Sequence, residues 1–425
     1  MKKAVLLAML VVPILLGVLN LAMAAPVTIT VMYSNDLFTP EQNKAFEAEN
    51  PDIKIEVIPF DTARFMAMNA AGNPPDICRV NDDEIPYLAS RKIALDITPY
   101  LKTAKYCKIS DFMDVMNAYK YKGRYYGLIK DWSYISDGYY HKDVFDAAGV
   151  PYPSATEPMT CQEMVNIARK LVRKEGDKTL VYGFSYWDFT YQWLFTMAAR
   201  GESVFSRDQK KILLTSPKSK EVAKFWFDVA KEKLCDSPNY HVFPDWNGNM
   251  LPQGRLGMLF FGTWYGAMAE GDSAKGKIGV MPGPVWSKKE PRRAVVGLLC
   301  GAIIAAKTKH PKEAFRVLDW YFGGPPAIER AKAGWGLSMF KSMQGMMDLS
   351  TPFNKQRQLC IDAQAKYITT YSFSPYLTMI NLTTVMNKYL EQALKDQITF
   401  DQFLSKAEAD LNKIMADNAA YMAKS

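Results

Sequence analysis

The sequence has little of what most catalytic and metal centres need. Three histidines occur in 425 residues, His141, His241 and His310, each in a different setting. That argues against a histidine-based metal site or triad. Six cysteines, at 78, 107, 161, 235, 300 and 360, never come to CxxC spacing, which removes the common zinc and dithiol redox motifs. Charge of one sign never accumulates: Lys288-Lys289 and Arg292-Arg293 are interrupted by Glu290 and Pro291, so nucleic acid is not an expected partner. After the N-terminus no apolar run is long enough to span a bilayer; the longest, Ala294 to Ala306, reads as a buried strand. Repeats and low-complexity segments are absent. Gly271 and Gly276-Lys277 have the spacing of a phosphate loop, but Ile278 stands where a magnesium-binding hydroxyl is needed and a strand follows in place of a helix. Gly183-Phe184-Ser185-Tyr186-Trp187 lacks the second glycine of a nucleophile elbow. Ser338 and Lys341 have serine–lysine spacing without a companion motif. No cofactor, metal or catalytic residue is therefore expected. A carboxylate pair for glycoside hydrolysis stays open, because separation in sequence does not report separation in space.

What is present begins with an export signal. Lys2-Lys3, the apolar stretch Ala4–Leu21 and the small-x-small triplet Ala22-Met23-Ala24 form one, with cleavage expected before Ala25. No cysteine stands at the cleavage point, so no lipid anchor is expected, and the mature chain is expected in the periplasm. Losing Lys2 and Lys3 takes the net charge from +8 to +6. Hydrophobic content of 48% argues against disorder, and the length suffices for more than one core. Export permits disulfides; a Cys78–Cys107 pair and six buried free thiols both remain open.

Elements alternate along the chain. Val27–Tyr33 alternates apolar and polar residues as a strand does. Thr39, Pro40 and Gln42 form a capping box for the helix that follows, and Ile53–Ile58 is a second strand. Such a βαβ opening puts Ser34-Asn35-Asp36 at the carboxyl end of a strand, where open α/β sheets bind ligands. Asp61-Thr62 opens a helix that ends at Gly72. A short strand runs into the acidic cluster Asn81-Asp82-Asp83-Glu84. Gly123 marks a hairpin. Thr160 and Glu163 box a helix through Lys174, Leu180–Ser185 is a strand, and Ser216-Pro217 opens a helix to about Leu234. Leu256–Phe261, Ile278–Val280 and Val295–Ala306 read as strands, Pro311–Phe322 as a helix, and the last third as mostly helical with a third box at Thr399 and Gln402. The alternation indicates an α/β architecture.

Aromatic residues stand beside polar ones in loops that follow strands: Trp132, Tyr134, Trp187, Trp264 and Trp335. A sugar ring has apolar C–H faces and a rim of hydroxyls, so an aromatic plate packs on the face while carboxylates and amides bond the rim. Core filling is the commoner fate of a single tryptophan, and about half of these five are expected to meet ligand.

Several runs resemble the extracellular sugar-binding proteins of ABC importers, the family of maltose-binding protein. They are Phe46 through Asn50-Pro51-Asp52-Ile53-Lys54-Ile55; Gly72 with Pro75-Asp76-Ile77; Tyr121-Lys122-Gly123 with Tyr126-Gly127-Leu128; His141 to Pro151; and Lys309-His310-Pro311-Lys312-Glu313-Ala314. They stand in family order and cover essentially the whole mature chain. Cys161 replaces a tryptophan common after the boxed threonine, and Gly297-Leu298-Leu299-Cys300-Gly301 replaces a glycine-rich turn. The resemblance implies a type II periplasmic binding protein fold: two α/β lobes with open doubly wound sheets, joined by a hinge that the chain crosses near Ser136, Val295 and Gln344. Lobe 1 is then 26–135 with 295–343, and lobe 2 is 136–294 with 344–425. It implies ligand contacts at Asn35, Asp36, Asn81, Asp82, Trp132, Tyr134, Tyr186, Trp187, Asp188, Trp264, Trp335 and Tyr376. It implies a carbohydrate ligand, an oligosaccharide foremost, separate permease subunits as partners, and a monomer that is not an enzyme. An acidic sugar, a polyol or a glycerol phosphate is the alternative, with Arg64 or Lys130 as the cation for an acidic ligand; a secreted carbohydrate-active enzyme is the third reading.

Overall fold

In the computed structural model, residues 25–34, 37–186, 188–236 and 246–424 are described. The expectations for the export signal, Asn35, Asp36, Trp187 and His241 lie outside the described residues.

Val27–Tyr33 forms the expected first strand, with Ile29, Val31, Met32 and Tyr33 all buried. Its carboxyl half is covered on both faces, as strands in α/β sheets are. The Thr39 box closes: Thr39 Oγ1 accepts from the Gln42 N–H at 3.3 Å and Gln42 Oε1 accepts from the Thr39 N–H. This starts the helix Pro40–Glu49. The Thr160–Glu163 and Thr399–Gln402 boxes close in the same way. At the hairpin, Lys122 and Gly123 both take positive φ, as a tight turn between paired strands requires.

Two open sheets result. In the first, Val27–Tyr33 lies between Ile53–Pro59 and Ile77–Val80 and runs parallel to both. Gly301–Ile304 then adds antiparallel to Ile77–Val80, and Gly127–Ile129 adds beyond it. In the second, Lys178–Ser185 lies between Cys235–Asp236 and Leu256–Phe260, parallel to each. Gly138–His141 and Ile278–Met281 follow with antiparallel pairings. Each sheet has its own core. Ile29, Val31, Phe46, Ile303 and Leu318 belong to one; Phe184, Trp193, Trp226, Leu382 and Leu411 belong to the other. The molecule is a two-lobe α/β structure.

Three expectations need correction. Val295–Ala306 is not one strand. Ala294–Val296 pairs with Ile368–Thr370 between the sheets, whereas Gly301–Ile304 enters the first sheet. Leu298, at φ 48°, turns the chain between them. The helix Cys161–Leu171 stops before Lys174, because Val172 goes extended and Arg173–Glu175 pairs with Lys178–Ser185. The helix Pro217–Lys231 stops before Leu234, where Lys233 takes φ 53°. All six cysteines are unbonded, five buried and Cys300 half-buried.

Candidate functional site

Strand ends converge on one cavity of about 560 Å³. Ser34 follows the first strand. Arg79 and Asn81 close Ile77–Val80, and Lys130 to Ser133 follow Gly127–Ile129. Trp264 follows the Leu256–Phe260 strand of the second sheet. A cavity at the carboxyl ends of strands is where the topology of open sheets leaves room. Leu298 and Cys300, in the segment that splits the expected long strand, also line it, as does Trp335.

Its aromatic wall is built in two layers. Trp246, Phe261 and Trp264 are nearly parallel: Trp246 and Trp264 have centroids 6.3 Å apart at 16°, and Phe261 lies 5.9 Å from Trp264 at 20°. Behind them Tyr265 meets each ring edge-on at 72–88°. Its hydroxyl donates to the Gly248 carbonyl at 2.6 Å. Edge-to-face contact is the favoured arrangement for such rings, so the front plates cannot rock freely. Trp246 is 41% exposed at the rim. The Trp264 N–H donates to Ser133 Oγ at 3.3 Å, which joins the end of the Leu256–Phe260 strand to the segment after Gly127–Ile129. Trp132 is fixed by its Nε1–H donating to the Ser338 carbonyl at 2.8 Å and by a two-way backbone bridge to Leu337.

The polar part of the lining carries both signs of charge. Lys130 and Asp131 form an ion pair at 3.4 Å, both nearly buried. Arg79 lies 4.9 Å over the Phe60 ring. The acidic cluster divides its tasks. Asn81 lines the cavity, and its N–H donates to Glu84 Oε2 at 2.9 Å. Asp82 Oδ1 accepts from the Leu299 N–H at 2.8 Å, holding the segment between Leu298 and Cys300. Burial pushes the Asp82 carboxyl up to about 7 against that hydrogen bond. Asp83 is also raised, by burial first and then by the neighbouring Glu84 and Asp82 charges. Both line an adjoining cavity of about 820 Å³. The Tyr119 hydroxyl bonds the Val80 and Leu299 carbonyls at 3.0 and 2.7 Å and so ties the two wall segments together.

Of the residues expected from sequence, Asn81, Trp132, Trp264 and Trp335 come together on this cavity. Five do not line it. Tyr134 is 1% exposed, set edge-on to Trp132, and lies beside a rear cavity. Tyr186 is 1% exposed, stacked on Phe184 and tilted against Trp226 in the second core. Asp188 caps the helix Phe189–Ala199, accepting from the Tyr191 N–H at 2.9 Å. Tyr376 packs at the C-terminal helix, where its carbonyl accepts from Asn418 at 3.0 Å. Asp82 serves the wall from behind. Of the two cations considered, Lys130 lines the cavity and Arg64 lies on the exposed helix Thr62–Ala70. Sequence reasoning did not single out Arg79, Tyr191 or Trp246 as lining residues. Tyr191 stands a few residues beyond the strand end at Ser185, past the aromatic run Tyr186 to Phe189; Trp246 follows no recognisable strand and carried no local signal.

Among the described residues no cluster of three or more metal-ligating side chains occurs, and no helix is long and apolar enough to cross a membrane. What the cavity offers chemically is flat aromatic surface beside amide, hydroxyl and charged groups. It can pack the faces of a ring and bond its rim.

Comparison with known proteins agrees with the fold. An ABC substrate-binding protein of Listeria monocytogenes, solved with cycloalternan, superposes with a TM-score of 0.78 at 22% identity, covering 92% of this chain and 99% of its own. The sugar-binding protein MalE of Xanthomonas citri gives 0.70 at 15% identity over 94% and 100% of the two chains. An Agrobacterium radiobacter solute-binding protein, solved with ribitol, gives 0.73 at 21% identity over 92% and 98%. A binding protein of Brucella abortus is 26% identical over 293 residues, 66% of this chain and 67% of its own. The profile of the bacterial extracellular solute-binding proteins matches residues 33–323, more than half of the chain, and this protein belongs to that family.

Proposed function

We propose that the protein is the extracytoplasmic binding component of an ABC importer and that it takes a carbohydrate into the cavity between its lobes. The observation that carries this reading is the near-parallel Trp246–Trp264 pair, backed by buried Phe261 and placed with Trp132 and Trp335 around Asn81 and the Lys130–Asp131 pair. Lobe 1 comprises 26–135 with 295–343 and lobe 2 comprises 136–294 with 344–425. Closure buries ring faces and displaces water, and the closed pair of lobes is what separate permease subunits would recognise. The mature chain works in the periplasm after cleavage before Ala25, and it releases its ligand unchanged. The neighbours solved with cycloalternan and with ribitol support sugars and polyols as the class to test.

The test is a thermal-shift screen of the mature protein against maltose, mannobiose, cycloalternan, ribitol, mannitol, galacturonate and glycerol 3-phosphate. A ligand that binds only the folded state stabilises it by roughly 2.7 kcal/mol at a hundred times its dissociation constant. An oligosaccharide is expected to raise Tm and to be recovered intact by chromatography. A rise with galacturonate or glycerol 3-phosphate alone replaces the neutral-sugar reading with the acidic one. No rise with any probe, or recovery of a cleaved sugar, overturns the reading.

A further inference from the structure

Trp264 and Trp335 come to the cavity from segments far apart in the sequence, yet one side chain bonds the carbonyl just before each. Arg357 lies on the helix Pro352–Gln364, which packs on the Ile278–Met281 strand of the second sheet, with Gln356 Nε2 donating to the Val280 carbonyl at 3.4 Å. Arg357 is 2% exposed. Its Nη2 donates to the Gly334 carbonyl at 2.6 Å and to the Thr263 carbonyl at 3.3 Å. Its Nη1 donates to Asn354 Oδ1 at 3.1 Å on its own helix. Thr263 directly precedes Trp264, and Gly334 directly precedes Trp335.

The surroundings are shaped for this guanidinium. A Cβ on Gly266 would sit 2.2 Å from Arg357 Nε, and one on Gly334 would sit 2.9 Å from Nη1. Gly334 also takes φ 68°, a conformation that side-chain-bearing residues adopt at a cost. Both glycines flank the tryptophans they serve. A buried cation whose donors go to two carbonyls from separate segments is a strut: moving either segment alone strands a donor in a dry site. Nη2 supplies both carbonyl bonds while Nη1 bonds Asn354, so the planar guanidinium fixes all three together, whereas lysine is shorter and carries a single nitrogen.

We propose that Arg357 is a positioning residue that fixes the Trp264 and Trp335 walls relative to one another and so sets the gap in which a ligand ring is held. The inference rests on the cleft being the binding site, but its test needs no sugar. The full mature protein is labelled with 5-fluorotryptophan, and the ¹⁹F resonances of Trp264, Trp335, Trp193 and Trp226 are assigned by Trp→Phe substitution. In Arg357→Met the Trp264 and Trp335 resonances are expected to shift or broaden beyond their linewidths, while those of Trp193 and Trp226, buried in the second core, stay in place. Arg357→Lys should move both by a smaller amount. Asn354→Ala, which spares both carbonyl contacts, should move neither. If Arg357→Met does not fold, the lysine variant decides by the same criterion. Movement of only one of the two tryptophans, of neither, or of all four together overturns the proposal. Because the readout is taken without ligand, a failed sugar screen and a failed strut are separate results.

Discussion

At the scale of single residues, the same sequence pattern led to different fates. Trp264 and Tyr186 both follow a strand and sit among polar and aromatic neighbours. Trp264 lies in a parallel stack that ends at the cavity. Tyr186 instead turns between Phe184 and Trp226, into the layer under the helices. Local pattern does not encode on which side of a strand end the ring falls. The prediction that separates them is binding against folding. Trp264→Ala should weaken binding of whichever screened sugar gives the largest thermal shift by about 2 kcal/mol, near thirtyfold in Kd, with little loss of stability in a calorimetric titration paired with a melt. Tyr186→Ala should lower stability by roughly 3 kcal/mol through cavity formation. A Trp264 variant that binds as tightly as the parent would remove that ring from the site. A buried carboxylate shows what a polar residue can do inside a helix. Asp319 stands in the helix Pro311–Gly323 and is 6% exposed. It accepts the N–H groups of Lys105, Tyr106 and Cys107 at 2.7–3.2 Å. Asp319→Ala strands three donors, and a loss of about 3 kcal/mol in urea unfolding is expected; an unchanged midpoint would mean that water replaces the carboxylate.

At the scale of elements, legibility followed locality. Capping boxes are complete within four residues, so Thr39, Thr160 and Thr399 were readable and all three close as hydrogen-bonded pairs. Thr160→Ala should cost about 1 kcal/mol in the same urea experiment, and Thr160→Ser should recover most of it; equal losses in both would point away from the cap. The split of Val295–Ala306 was not readable, because it depends on partners far along the chain. Ala294–Val296 finds Ile368–Thr370, and Gly301–Ile304 finds Ile77–Val80. Apolar content is the same on either side of Leu298, so periodicity had nothing to report. The break has a use: it puts Leu298 and Cys300 on the cavity, and Asp82 holds them there through Leu299. The acidic cluster thus acts as a brace for this wall, a role that only the long-range contact reveals. Trp246 was illegible for a related reason, since it reaches the site by stacking on Trp264 and Phe261, both distant in sequence.

At the scale of the whole molecule, a buried carboxylate joins three segments that are far apart in the sequence. Asp137 directly precedes the strand Gly138–His141 and is 1% exposed. Its Oδ2 accepts from Thr263 Oγ1 and its Oδ1 from Gln364 Nε2, each at 2.8 Å. Gln364 ends the helix that carries Arg357. Burial raises the Asp137 carboxyl to about 7, while the Gln364 and Thr263 hydrogen bonds and the Arg357 charge pull it down. A carboxyl raised in the folded state holds a proton that the unfolded chain has already released near pH 4. Between about pH 4 and 7 the folded state therefore binds more protons, and stability falls as pH rises, by at most about 1.4 kcal/mol per pH unit from this group. Its favourable contribution is complete below the unfolded value and gone above the folded one. Asp82 is raised to about 7 as well, so the total pH dependence is shared, but a difference isolates Asp137. Asp137→Asn keeps an acceptor for Gln364 and removes the titration. The stability of the parent minus that of the variant, from urea unfolding at pH 4.5, 5.5, 6.5 and 7.5, should fall steadily across the series and level off above pH 7. A constant difference would mean that the carboxylate is already ionised in the folded state at pH 4.5, compensated by Arg357. The contact would then be held by an ionised carboxylate beside Arg357 and not by a protonated acid. The slope therefore decides whether acidification of the surroundings tightens this contact or leaves it untouched.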